Sequence, residues 1–374
     1  NRPHPDINGY SHENTTAFVF YFENAYEFID EDNEWYLDRK TNTLYFKAPM
    51  GFDMNSADVI APKVETLISI EGTLDEPVKN LEFHGITFAH SNWTRPSEEG
   101  AIGGQASQYV LTSSLDNVIG VYRPPAAVYV KCAENIIFER NKFHFLGSTG
   151  LDFHYGTSNC SIIGNVFSEI SGNGINVGKF VRDDLIDYHD VYNPSDMREV
   201  CTNCLISNNY LTKIGTDYDG SVGIAAGYPR QITITHNTLS HMPYTGISVG
   251  YGWTNKDNPM NGNVISYNHI HHVNEVVCDG AAIYTLSKQP NSEISKNYIH
   301  DIYRKEWHDY GCAGIYLDEQ TSGYTVFDNV MINTPSIWQN RTGTNNLYNN
   351  GAMNTQVILN AGVISQYQDI LPED

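Results

Sequence analysis

Two stretches of this chain, CDGAAIYTLS from Cys278 to Ser287 and CAGIYLDEQTS from Cys312 to Ser322, share an apolar core and carry one early or late aspartate each. Asp279 precedes its core within an Asp-Gly pair, whereas Asp318 closes its own. Two facing carboxyls are what cleavage of an acetal requires. One protonates the departing oxygen while the other attacks the anomeric carbon or activates water, and their surroundings must split their pKa values. A separation of about 5 to 5.5 Å predicts retention of configuration, and about 6.5 to 9.5 Å inversion. Each acid also has a plain structural reading. Asp-Gly is a common turn pair, and an acid on an outer strand face is ordinarily solvated.

Other residues could hold a substrate beside such a pair. Glu319 follows Asp318 at once and is expected to face away from it, which makes it the second choice. Asp219, in YDGSVGI, makes the same kind of turn one or two repeats earlier. Tyr284 and Tyr316 stand on the same strand face, and Trp253 and Trp307 lie in neighbouring loops, the latter behind Arg304 and Lys305. Flat rings suit the apolar faces of sugars, although a Trp in a long loop can equally anchor it.

Metal sites are not expected. His271 and His300 occupy equivalent repeat positions beside His272 and Asp301, but no third His or carboxylate is evidently placed to complete a set, so a polar turn column is the reading. Cys201 and Cys204 form a CxxC without a second pair at zinc spacing, and Cys160 shares a column with Cys204, as core residues do. Cofactors are expected to be none.

A repeat positions these residues. The frame NLEFHGITF from Asn80 recurs without gaps from Asn135, Asn159, Asn203, Gln231, Gly262, Asn291 and Gly323. It sets Phe83, Phe138, Ile162, Ile206, Ile234, Ile265, Ile294 and Val326 in one apolar column, and Phe88 through Met331 in another. Between them Asn141, Asn165, Asn209, Asn237, Asn268, Asn297 and Asn329 form a polar column, which predicts an amide ladder between stacked turns. A further strand follows in each repeat, as in GLDFH, GINVG, GIAAG, GISVG, AIYTL and GIYLD. With Ile315 and Leu317 inward, Gly314, Tyr316 and Asp318 are expected to face solvent. The same alternation puts Asp152 in the row of Tyr316 and His154 in the row of Asp318, and Gly178, Gly227 and Gly250 then suggest an open trough. Leucine-rich repeats are excluded because their frame is absent.

The fold class expected is all-β, a right-handed parallel β-helix with a small N-terminal β subdomain. Residues 1–61 form that subdomain, with FVFYFENAYEFI, EWYLD and TLYFKAP as strands; 62–344 form the helix, and 345–374, lacking the frame, a C-terminal cap. The net charge of −22, without Lys or Arg clusters, argues against nucleic acid, and no apolar run is long enough to span a bilayer. Asn14, Asn92, Asn159 and Asn340 head formal glycosylation triplets.

The Asp-Gly-x-Ala-Ile-Tyr and Gly-Ile-Tyr-Leu-Asp-Glu cores, together with FENAYEFI, EWYLD and TLYFKAP, resemble right-handed β-helix carbohydrate enzymes of glycoside hydrolase family 141. That resemblance implies action on plant cell-wall glycans, with α-L-fucosidase and xylanase activities both represented, and a catalytic aspartate pair matching Asp279 and Asp318. It also implies coils ahead of Asn1, an extracellular or periplasmic location, and an oligo- or polysaccharide partner. A polysaccharide lyase or epimerase on the same scaffold would need a basic proton abstractor and often clustered Ca²⁺ ligands. A non-catalytic glycan-binding solenoid would need only the aromatics. Such scaffolds host several activities, so the site must decide.

Overall fold

The computed structural model describes residues 22–96, 109–111, 120–180, 191–305, 311–335, 337–339 and 343–372. Two compact units divide the chain, one within 12–61 and the other from Pro62 onward. In the first, Trp35–Asp38 pairs antiparallel with Thr43–Phe46. The Asp38 carboxylate closes their turn by accepting from the Lys40 backbone N–H at 2.9 Å and the Thr41 hydroxyl at 2.8 Å. The expected strand in FENAYEFI is instead a 3₁₀ turn, Tyr26–Phe28. Asn24, at φ 60°, interrupts the extension just before it.

The second unit is the parallel β-helix. Each coil contributes one strand to each of three parallel sheets, which among the described residues have nine, eight and nine strands. In the first sheet Phe138 stands beside Ile162, Ile162 beside Ile206, and so on to Val326, which is the register that the gapless alignment requires. Phe143 through Met331 do the same in the second sheet. These columns fill the barrel core. At the wide end phenyl rings stack, Phe143 on Phe167 at 4.5 Å.

The asparagine column is fully bonded. Asn237 shows the unit: its Oδ1 accepts from the Asn209 backbone N–H at 3.0 Å and from Asn209 Nδ2 at 2.9 Å. Its own Nδ2 donates to Asn268 Oδ1 and to the Ile206 carbonyl, both at 3.0 Å. An Ala here would leave buried donors unpaired, which is why one residue type recurs. The residue before each Asn turns in the left-handed region, as at His236 (φ 57°) and Lys296 (φ 54°).

The frame also runs one coil further than expected. Asn346–Tyr348 pairs with Ser322–Phe327, and Asn329 Nδ2 donates to Asn350 Oδ1 at 2.8 Å. Read from Thr344, NNLYNN is thus another repeat, obscured because Leu347 and Ala352 are weak versions of the two apolar columns. Only then comes a helix, Thr355–Asn360, and a 3₁₀ segment, Ser365–Ile370. This strap runs back over earlier coils, where Tyr367 donates to Glu139 at 2.7 Å and Arg140 pairs with Asp369 at 2.6 Å.

The third sheet carries the candidate acids. Its outer column runs Asp152, Asn176, Ala225, Ser248, Tyr284, Tyr316 and Trp338, strand by strand. The expected open trough is absent there. Phe180, Tyr192, Tyr228, Tyr244, Tyr251 and Met260 belong to a second apolar layer with Ala225, so the outer face is roofed. Gly178, Gly227 and Gly250 are buried beneath it, and a Cβ on Gly250 would fall 2.1 Å from the Leu286 carbonyl oxygen. Gly227 and Gly250 are small because other backbone passes close, and Gly178 because its φ is 77°, not because the groove is open.

Candidate active site

Asp279 immediately precedes the strand Gly280–Thr285 and Asp318 immediately follows its neighbour Cys312–Leu317, the pairing of which aligns Gly280 with Cys312. The Asp279 backbone N–H donates to the Gly311 carbonyl at 3.1 Å. Along a straight strand the seven positions from Gly311 to Asp318 would separate the acids by about 23 Å. A corner removes that obstacle. Ala281 and Ala313 pack in the outer layer, yet Ala282 and Ile283 both face the barrel core, and Tyr284 and Tyr316 face out again. The expected outward Gly314 is also corrected by this corner: a Cβ on it would meet Met331 Sδ at 2.8 Å. Asp279 lies close enough to Asp318 for the two charges to interact.

Local structure holds each acid. Asp279 sits at φ 56°, a left-handed conformation that Asp tolerates better than most residues. Tyr244 donates its hydroxyl to the Asp279 backbone carbonyl at 2.9 Å. Gly280 must follow, since a Cβ there would lie 2.4 Å from Asn274 Nδ2 and 2.5 Å from the Tyr244 ring. Asp318 opens a turn whose Thr321 N–H donates back to the Asp318 carbonyl at 2.9 Å, while the Asp318 N–H donates to Thr285 at 3.0 Å.

The two acids have unlike surroundings. Burial first, then the charges of Asp318 and Glu319, push the Asp279 carboxyl up to about 7. Asp318 accepts a short hydrogen bond from the Tyr284 hydroxyl through Oδ2. Burial, and then the charge of Asp318, holds the Tyr284 phenol well above its usual range, so it remains a donor. Tyr244 is likewise pushed up by burial and by Asp279.

Aromatic rings line the pair. Tyr284 and Tyr316 meet edge to face at 5.3 Å, and Tyr316 meets Trp338 at 5.4 Å. Trp338 packs against Gly311, where a Cβ would fall 1.9 Å from the ring. Trp253 packs on Tyr251 at 5.0 Å and touches both outer clusters. The expectation that Tyr316 and Asp318 face solvent is corrected: both point away from the barrel core, yet each is only 6% exposed beneath these rings.

Not every expected residue joins them. Glu319 is exposed on the rim and acts on Asp279 through its charge. Asp219 is half-buried on the turn before Ile224–Ala226, two strands away in the sheet. Asp152 is corrected from substrate ligand to ion-pair partner: it is 1% exposed and accepts from Arg123 Nε and Nη2, both at 2.6 Å. His154 is paired with the Tyr129 hydroxyl at 2.7 Å, and burial drops its pKa to about 2. Arg304 is exposed, close enough to Cys312 to act on it electrostatically, and Lys305 is half-buried. Trp307 lies outside the described residues.

Tyr244 and Trp338 were missed. Trp338 was legible as the next member of the outer column after Tyr316, whereas Tyr244 lies before its strand at a position that no alternation reaches. Cys160 and Cys204 lie buried in the core, as expected, and both are free thiols. The histidine reading changes. His269, His271 and His300 converge from two strands of the second sheet, with ligand nitrogens all within 4.8 Å of one another. Burial and neighbouring imidazoles drop His269 to about 4 and His271 to about 3. A hollow of about 510 Å³ in the N-terminal unit, lined by Tyr26, Glu27, Ile29, Tyr45, Phe46 and Lys47, offers one carboxylate and no pair.

Comparison with known proteins agrees with the fold. The family described as "Right handed beta helix region" matches residues 114–256. A solved chain named "Glycoside hydrolase" is 36% identical, with a TM-score of 0.87, over 92% of this chain. This chain spans 61% of that chain's length. A second solved structure, of the Streptococcus pneumoniae surface protein and adhesin PfbA, aligns at 14% identity and a TM-score of 0.31, over 73% of this chain and 77% of that chain, and carries no argument. No curated protein matches.

Proposed function

We propose that the chain is a glycoside hydrolase in which Asp279 is the general acid and Asp318 the nucleophile or general base. The observation that carries this is two neighbouring carboxyls in unlike surroundings: Asp279 is pushed up to about 7 by burial first, and Asp318 accepts from a tyrosine hydroxyl. The similarity to a chain named as a glycoside hydrolase supports the same reading.

The roles follow from the surroundings. A carboxyl that keeps its proton near neutrality can pass it to the departing glycosidic oxygen. Asp318, its Oδ2 held by the Tyr284 hydroxyl, is the group that meets the oxocarbenium-like centre or takes a proton from water. Trp253 and Trp338, partly buried against the cluster that holds Tyr316, supply apolar surface for sugar rings. The resemblance to family 141 supports cell-wall oligo- or polysaccharides as the substrate class, with α-L-fucosides and xylans the first candidates, and an extracellular or periplasmic location.

The test is a panel of fucosylated glycans and xylans with the parent chain, Asp279→Asn and Asp318→Asn. Reducing sugar is expected from the parent, and a loss of about 10² to 10⁴ in each variant with circular dichroism unchanged. Near-full turnover in both variants ends the assignment. A product absorbing in the ultraviolet as an unsaturated sugar would show a lyase instead, and binding without product a docking solenoid.

A further inference from the structure

We infer that His269, His271 and His300 form a binding site for a late first-row divalent ion such as Zn²⁺, on a different sheet from the candidate acids. The argument starts from register. His269 and His271 are two residues apart on one strand and so share its outer face, and His300 stands directly beside His271 on the next. Their ring nitrogens lie within 4.8 Å of one another. His271 and His300 stack at 4.8 Å between centroids and 11° between planes, and His269 Nε2 lies 2.7 Å from His300 Nε2. A tetrahedral zinc ion with bonds of about 2.0 to 2.1 Å needs nitrogens about 3.3 Å apart, so His271 and His300 turn out of their stack to aim their lone pairs at one ion with His269.

The outer contacts have the form that a ligand shell needs. His300 Nδ1 is 2.7 Å from Asp301 Oδ2, which orients the ring and leaves Nε2 facing His269. Asp301 is itself fixed, its Oδ1 accepting from the Tyr303 hydroxyl at 2.6 Å and from Asn333 Nδ2 at 3.0 Å. His271 Nδ1 is 2.8 Å from His272 Nδ1, so its Nε2 is the nitrogen left for a metal. With Nδ1–H of His300 given to Asp301, His269 donates the Nε2–H of the 2.7 Å contact. Besides that ring movement, loading needs a tautomer change, the His269 proton moving to its own Nδ1 while Nε2 binds the ion. Three imidazoles and a water complete four positions, a donor set that suits zinc, copper or nickel rather than calcium or magnesium.

Bound there, the ion ties one coil to the next. The C-terminal strap crosses alongside, with a Cβ on Gly362 placed 3.0 Å from the His269 Cβ, so the same ion would stiffen the seat of the strap.

The test uses the full tag-free chain, stripped with chelator and dialysed against micromolar Zn²⁺. One equivalent is expected, with X-ray absorption showing about three imidazole nitrogens and a Co²⁺-loaded sample showing the visible bands of a tetrahedral site. His271→Ala and His300→Ala are expected to bind at least tenfold more weakly, and Asp301→Asn about 10- to 100-fold more weakly. Failure of the parent to retain an equivalent overturns the site, as does equal retention by the folded variants. Absorption spectra of the parent showing sulfur or carboxylate ligands instead overturn it without any variant.

Discussion

At the scale of single residues, the environment that suits Asp279 to its proposed role also destabilises the fold. Its folded pKa of about 7 lies above the ordinary value of 3.8, so its contribution is intact below about 3.8 and is lost as pH rises through about 7. Asp279→Asn should therefore be more stable than the parent at pH 8, on the order of 3 kcal/mol in denaturant titration, with no gain at pH 3.5. Tyr284→Phe removes the hydroxyl that Asp318 accepts, and kcat/KM should fall about 10- to 100-fold with the pH profile shifted. An unchanged kcat/KM would make that bond merely structural. Both acids were legible in the sequence because a repeated phrase moved its aspartate. Tyr244 was not, because its hydroxyl reaches Asp279 from a corner that strand alternation does not describe.

At the scale of elements, the asparagine ladder is the strongest test of the repeat. Asn237→Ala strips partners from Asn209, Asn268 and the Ile206 carbonyl, all inside the stack. A loss of about 3 to 5 kcal/mol is expected from denaturant unfolding, against less than about 2 for Asn350→Ala at the half-exposed last rung. Equal losses at both would refute the ladder as a buried, cooperative feature. The two strand columns and the ladder could be read from sequence because each obeys a fixed spacing. The corner between Ala281 and Tyr284 could not, since it sets two successive residues inward and breaks the alternation that placed Gly314 outside. The roof over Gly178, Gly227 and Gly250 escaped for a related reason: small residues fit beneath crossing backbone as well as they line a groove.

At the scale of the molecule, the C-terminal strap ties late sequence to early coils. Tyr367 covers Gly164, where a Cβ would meet its ring at 2.3 Å, donates to Glu139 at 2.7 Å, and lies under the Arg140 guanidinium at 4.8 Å. Tyr367→Ala should cost about 2 to 3 kcal/mol and expose residues 355–372 to limited proteolysis. Unaltered cleavage would show that the strap is held elsewhere. Its course was hidden in the sequence, because the contacts join positions more than 200 residues apart and follow no period.

The proposed acid and its partner meet in the pH dependence of kcat/KM on the best substrate of the glycan panel. If Asp279 delivers the proton, activity falls as pH rises through about 7, and that limb disappears in the residual activity of Asp279→Asn. A parent profile flat across that range, or the same limb retained in Asp279→Asn, would contradict the assignment.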